Sequence, residues 1–319
     1  MIKAFFGNRS IVLLFLPVLL GIYFLCNHYS HYYIYGGSIN GGFWGQIEIP
    51  ELISQLSAMG LVLLNSLLIN RIFNRNEFMS KNTYLPSLLF LVVMSNFHVF
   101  FYLNGLGIAI TIMILMIVQL FTLRQNEDGR RAIFNAAFLF GAASTFYPLL
   151  MFCIPVFFWL IWVIRPFFLR ESALAIVGYI VPLAYAGGYT LFVKTPLSSE
   201  YLSSSSHNFV WQSLIINVGL ILFMIFISMP PTLNKIKLSG IRLKKLLRII
   251  LLSALLGMVT MTIELLFLNK VEGASLMAIP LIFLLTYGFG VRELRKSAVF
   301  FFYVFFFFSV GKFFIPLDF

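Results

Sequence analysis

Residues 130–165 read RRAIFNAAFLFGAASTFYPLLMFCIPVFFWLIWVIR, an uncharged stretch closed at both ends by arginine. A helix needs roughly 20 mostly apolar residues to cross a hydrocarbon core of about 30 Å. This stretch divides at Tyr147-Pro148 into 132–147 and 149–164, each short for a span. Two crossings, one long broken helix and a re-entrant pair are the three ways to thread it. The choice sets the side of the membrane on which everything after Arg165 lies.

Working outward, the same reading gives spans at 10–26, 52–70, 84–103 and 105–123 before this stretch. After it come 172–193, 210–229, 249–268, 275–291 and 298–317. Backbone groups in lipid must be satisfied internally, so the spans are expected to be helices. Positive charge decides the count. With eleven spans and the N-terminus inside, 19 of the 22 lysines and arginines face the cytoplasm, leaving Lys194, Lys270 and Lys312 outside. Removing one crossing from 132–164 would put Arg165, Arg170 and the basic loop 230–248 on the outside. The expected fold is therefore an all-α integral membrane protein. It forms one transmembrane domain over 1–319, a polytopic helical bundle of about eleven helices, N-in and C-out.

Composition agrees and excludes other classes. The chain is 61% hydrophobic, 18% aromatic and 10% charged, with a mean hydropathy of +0.96. An ordinary soluble domain is about 45–50% apolar and about 25% charged, so a soluble enzyme, a secreted domain and a disordered chain are ruled out. The net charge of +11 is spread over loops with no folded domain to present a groove, so no nucleic-acid partner is expected. The densest basic run, Lys235 to Arg248, reads as a topology anchor on anionic headgroups. The alternative is an interfacial amphipathic helix that recognises a phosphorylated lipid or a partner. Cys26 and Cys153 form no CxxC or Cys/His spacing. Lys3 and Arg9 precede an apolar run, Ile11 to Leu25, without a small-x-small cleavage site. That run reads as a retained first span rather than a signal peptide.

Polar residues gather on the expected outer side. The outer loop 27–51 holds His28, His31, two glycine pairs, Glu48 and Glu51, but no lysine or arginine. Its tyrosines 29, 32, 33 and 35, with Trp44, are interface residues, and 43–56 can lie along the membrane as a short amphipathic element. The outer loop 194–209 is a serine-rich connector carrying Glu200 and His207. Glu48 and Glu51 share a face if their segment is helical, as a carboxylate pair for acid/base work or a divalent ion requires. Pro50 confines any helix to starting near there, and an acid beside a helix start is also favoured by the dipole alone. Glu264 is the carboxylate inside a span, and such a residue marks a functional site by default. From Arg248 it lies 16 residues on, about 24 Å along a helix, near the outer boundary. It either reaches the headgroups or Lys270, or closes a cavity whose other wall is the first loop. His98 sits near the outer end of its span, two residues from Asn96. Asn65, Gln119, Asn135, Ser144, Thr145, Gln212 and Asn217 read as interhelical hydrogen-bonding groups. Asn135, Ser144, Thr145 and Tyr147 gain weight by crowding the broken pair. Gly178, Pro182, Gly187-Gly188 and Pro280 interrupt spans as transporters do, without a repeat between the halves. The phenylalanines of 298–317 read as a lipid-facing wall. No cofactor is legible, and no metal motif beyond the two loop glutamates.

Two stretches carry a likeness to a family. Met1-Ile2-Lys3-Ala4-Phe5-Phe6-Gly7-Asn8, and Ile133-Phe134-Asn135-Ala136-Ala137-Phe138 continuing to Ala143-Ser144-Thr145-Phe146-Tyr147, resemble an uncharacterised family of bacterial multi-pass inner-membrane proteins. The resemblance implies the bacterial inner membrane and brings no activity with it. The layout is more loosely similar to polytopic glycosyltransferases that use polyprenyl-phosphate sugars, where an acid in the first outer loop is catalytic. Glu48 or Glu51 takes that place, without the paired-aspartate motif or the C-terminal soluble domain. Three functions follow as alternatives. One is an outer-face enzyme on a lipid-linked sugar, using Glu48 or Glu51 with Glu264 and His98, and Lys312 or Lys270 on a phosphate. The second is a lipid or solute transporter or flippase. The third is a non-catalytic membrane subunit that holds membrane-complex partners.

Overall fold

The computed structural model describes residues 2–7, 9–29, 38–79, 81–123, 128–164, 169–193, 236–268, 270–290 and 296–314, with 219, 222–223, 226, 229–230 and 233–234. The expected span 210–229 falls mostly outside these residues, and the outer loop 194–209 falls wholly outside. The helices are α1 (Ile2–Phe6), α2 (Phe15–His28), α3 (Glu51–Arg75), α4 (Leu85–Met94), α5 (Gly105–Thr122), α6 (Arg130–Phe146) and α7 (Ile154–Ile164). They continue with α8 (Leu169–Val193), α9 (Ile241–Leu268), α10 (Ala278–Gly290) and α11 (Lys296–Gly311). One antiparallel hairpin, β1 (Ser38–Asn40) with β2 (Gln46–Glu48), lies between α2 and α3.

Five helical segments among the described residues are long and apolar enough to cross a membrane: Ser10–His28, Glu51–Arg75, Gly105–Thr122, Leu169–Val193 and Ile241–Leu268. The other described spans form shorter helices, and two of these show why. The expected helix over 84–103 stops at Met94, after ten residues that are all buried. Ser95 Oγ donates to the Val92 carbonyl at 2.8 Å, and Asn96 Nδ2 donates to the same oxygen at 3.0 Å. These side chains take up the carbonyl that a continuing helix would use, which is how such residues compete with the backbone. A 3-10 turn, His98–Phe100, follows. In the opening stretch, α6 ends at Phe146 because Tyr147 precedes proline and adopts φ −132°, ψ 87°; a residue before proline is disfavoured in the helical region. A 3-10 turn, Pro148–Cys153, then leads into α7.

The chain doubles back there. Phe140 and Phe157 would lie about 25 Å apart along one straight helix, yet their rings stack with centroids 4.6 Å apart and planes 2° apart. Segment 132–164 is thus two helices that meet through these rings, and α7 packs mainly on α9. α6 is the hub, packed along α5 and α8. Where it meets α8, a Cβ on Gly141 would lie 2.4 Å from the Tyr179 carbonyl oxygen, so only glycine admits this approach. Small residues at such crossings are how apolar helices gain close packing without a hydrophobic drive.

The bundle has two distinct ends. Phe73, Phe78, Phe121, Phe283 and Tyr287 pack together at the end where α3, α5 and α10 finish. The N-terminal segment is tied to the same end, because Tyr84 donates its backbone N–H to Phe5 O at 2.8 Å. The starts of α3 and α5 meet at the opposite end, where Ser54 Oγ accepts from Leu103 N at 3.1 Å.

Candidate functional site

The second end carries the buried polar groups. Glu264, in the last turns of α9, is 3% exposed. Its Oε1 accepts from the Tyr147 hydroxyl and its Oε2 from the Gly273 backbone N–H. Tyr147 is brought there by the break between α6 and α7, and Gly273 by the 3-10 turn Glu272–Met277 that leads into α10. A Cβ on Gly273 would lie 3.0 Å from Glu264 Oε2, 3.0 Å from Tyr147 Oη and 3.2 Å from Thr260 Oγ1. The missing side chain is what lets the backbone amide reach the carboxylate. Glu264 therefore points into the protein, its carboxylate held by Tyr147 and Gly273; Lys270 donates its backbone N–H to the Glu264 carbonyl at 3.4 Å and acts on the carboxylate through its charge.

A buried lysine lies at the same end. Lys312, just past α11, is 7% exposed, and its ammonium donates to the Ser95 carbonyl. The nitrogen sits 5.0 Å from the Phe313 ring centroid and 5.7 Å from that of Phe101. Ser95 follows the last turn of α4, where helix carbonyls lack intrahelical partners and a cation is favoured. Aromatic faces add cation–π attraction. Tyr23, on α2, shares a 2.6 Å hydrogen bond with Ser309 and so fixes α11 beside it.

His98 lies between these two groups. It is partly buried, falls between Ser95 and Phe101 in sequence, and starts a 3-10 turn that packs on Glu272–Met277. Glu272 acts electrostatically on both Glu264 and His98, while Lys312 acts on His98. Glu264 and His98 thus lie at one end with Tyr147 and Lys312, which the sequence offers in supporting roles, and with Glu272, which looks like a loop charge until the tertiary fold places it.

Glu48 and Glu51 have other positions. Glu48 ends β2, is exposed and pairs in register with Ser38. Glu51 opens α3 just after Pro50 and accepts from Gln55 Nε2 at 3.0 Å. The two do not share a helix face, because the segment before Pro50 is strand rather than the expected amphipathic element. The first loop nevertheless docks on α6. Gly42, at φ +66°, lies against the Thr145 and Phe146 carbonyls, and Trp44 Nε1 donates to Thr145 Oγ1 at 3.2 Å. Residues 30–37, including His31 and three of the tyrosines, lie outside the described residues.

A small cleft between α3 and α5 is lined by Val62, Asn65, Tyr102 and Asn104 among others, and among the described residues Asn65 Oδ1 is buried without a hydrogen-bond partner. Among the described residues no group of three His, Cys, Asp or Glu side chains is placed to hold a metal ion. Comparison with protein families, with curated proteins and with solved structures finds no match to this chain, so its chemistry rests on the site itself.

Proposed function

We propose that the chain is a multi-pass protein of the bacterial inner membrane, with eleven spans, N-in and C-out, whose outer end acts on a lipid-linked sugar phosphate. The observation that carries this reading is one pairing: a buried carboxyl group and a buried ammonium group at the same end of an apolar bundle. Each is costly to place there, and ionisable groups at membrane depth mark functional paths. Arg9, Arg71 and Arg75 lie toward the opposite, Phe73 end, on segments ending or starting there, which fits a cytoplasmic assignment for that end. In this reading Glu264, oriented by Tyr147 and the Gly273 amide, moves the proton in sugar transfer. Lys312 and His98 hold phosphate oxygens, and Glu48 and Glu51 stand on the first loop at the rim.

Mass spectrometry of polyprenyl-linked intermediates in depleted cells tests it. Rescue uses wild type, Glu264→Gln or Glu48→Gln at matched expression. Accumulation of a lipid-linked sugar that wild type corrects and Glu264→Gln does not is the expected outcome. Correction by every form overturns the assignment to Glu264, and an unchanged lipid profile overturns the lipid-linked substrate. A second reading, a carrier or flippase, draws support from the closure of both Glu264 and Lys312 from solvent, since a closed site has to open for its substrate. Under it, lipid-linked sugar accumulates while transfer activity in membrane extracts is unchanged.

A further inference from the structure

We infer that Glu264, Glu272, His98 and Lys312 form a proton relay whose two buried terminals are Glu264 and Lys312. This goes beyond the lipid-linked reading and does not depend on it, because the relay follows from placement alone. Packed turns bring the four groups to one end, and charge links them in order: Glu272 acts on Glu264 and on His98, and Lys312 on His98. Glu264 is bound by the backbone N–H of Gly273, the neighbour of Glu272. The turn bearing Glu272 packs on the turn bearing His98. Lys312 binds the carbonyl of Ser95 and lies over the ring of Phe101, three residues before and three after His98. Carboxylate, imidazole and amine are the side chains that exchange protons readily.

The terminals and the middle differ in access. Glu264 and Lys312 are 3% and 7% exposed, while Glu272 and His98 are only partly buried, so the middle of the relay is more open than its ends. Transfer moves one proton from the Lys312 ammonium to His98, on to the Glu272 carboxylate and then to Glu264, directly or through single bridging waters. The outcome is a neutral amine and a neutral carboxylic acid where there had been an ammonium and a carboxylate. No other bond is made or broken. Both terminals change charge together, so the electrostatic character of this end switches while the total charge stays constant. Among the described residues the other titratable groups beside the relay are Tyr147, which donates to Glu264, Tyr23, which is bonded to Ser309 and lies beside Ser95 at the Lys312 terminal, and the exposed Lys270. Tyr147 keeps its proton as a hydrogen-bond donor, and Lys270 stands on the solvent side.

Infrared difference spectroscopy of the full chain in nanodiscs tests the relay through the carbonyl stretch of a protonated carboxyl group. Titrated across the neutral range, wild type should show a band that Glu264→Gln removes. Lys312→Met should shift the titration midpoint of that band by about one pH unit, a tenfold change in proton affinity. Lys312→Arg, which keeps the cation but does not release its proton, should abolish the coupled change. His98→Gln should leave the terminals in place and slow their exchange. If Glu264→Gln does not fold, as judged by gel filtration, Glu272→Gln serves instead and should shift the same band. A midpoint unmoved in both Lys312→Met and Glu272→Gln overturns the relay. Because this readout needs no substrate, it fails or succeeds separately from the lipid profile.

Discussion

The two ends of the bundle solve the same packing problem with opposite materials. At the Phe73 end, five aromatic side chains from four segments interlock, and their polar feature is the Tyr287 hydroxyl donating to Phe78 O at 3.0 Å. At the Glu264 end, a carboxyl and an ammonium group are buried, each held by backbone groups and neighbouring side chains. Aromatic packing contributes stability through area and dispersion and asks for no partner. The polar end needs each donor matched, and a half-satisfied network is worse than none. An apolar protein gains nothing in stability from keeping Glu264 and Lys312 inside. Their retention points to use.

Three substitutions test the contrast between the two ends. Phe283→Ala removes the ring that touches Phe73, Phe78 and Phe121. It should lower the unfolding free energy by about 3–5 kcal/mol in detergent denaturation while leaving the infrared band of Glu264 in place. A titration midpoint that moved with it would mean that the two ends are not independent. Gly273→Ala forces a methyl group between Glu264 and Tyr147. It should cost about 1–3 kcal/mol and, unlike the first, should alter the Glu264 band. An unchanged band would show that the amide contact does not hold the carboxyl. Asn65→Leu, midway between the ends, removes an unpartnered buried carbonyl oxygen and should raise stability by about 1 kcal/mol. A loss of stability there would mean that the amide has a partner in the membrane-embedded protein, such as a bound water.

Much of the bundle was legible in the chain. The long helices at 10–28, 51–75, 105–122, 169–193 and 241–268 correspond to apolar runs, and the break at Tyr147-Pro148 is written in the proline. The stop at Met94 was not read, because Ser95 and Asn96 sit in an apolar run and reveal their effect only by bonding the preceding turn. Within the site, Glu264 stands out as a carboxylate inside an apolar run, and Lys312 is offered as a phosphate-holding cation. Glu272 does not stand out, because a charge just beyond an apolar run ordinarily faces water. Glu48 and Glu51 share a face only if their segment is helical, and the strand before Pro50 removes that relationship.

Apolar runs alone show that this chain is built of helices and place most of them along the chain, while several ends differ, as at Arg75, Met94 and Ile241. That information is local: hydropathy, proline and the positions of charge act within a turn or two of where they are written. Only the tertiary structure decided that Glu264 meets Tyr147 across 117 positions and that Lys312 reaches the carbonyl ending α4 across 217. Those contacts depend on which helix faces pack together. In a chain whose helices are apolar on nearly every side, many pairings bury the same area, and the close fit of small residues such as Gly141 and Gly273 selects among them.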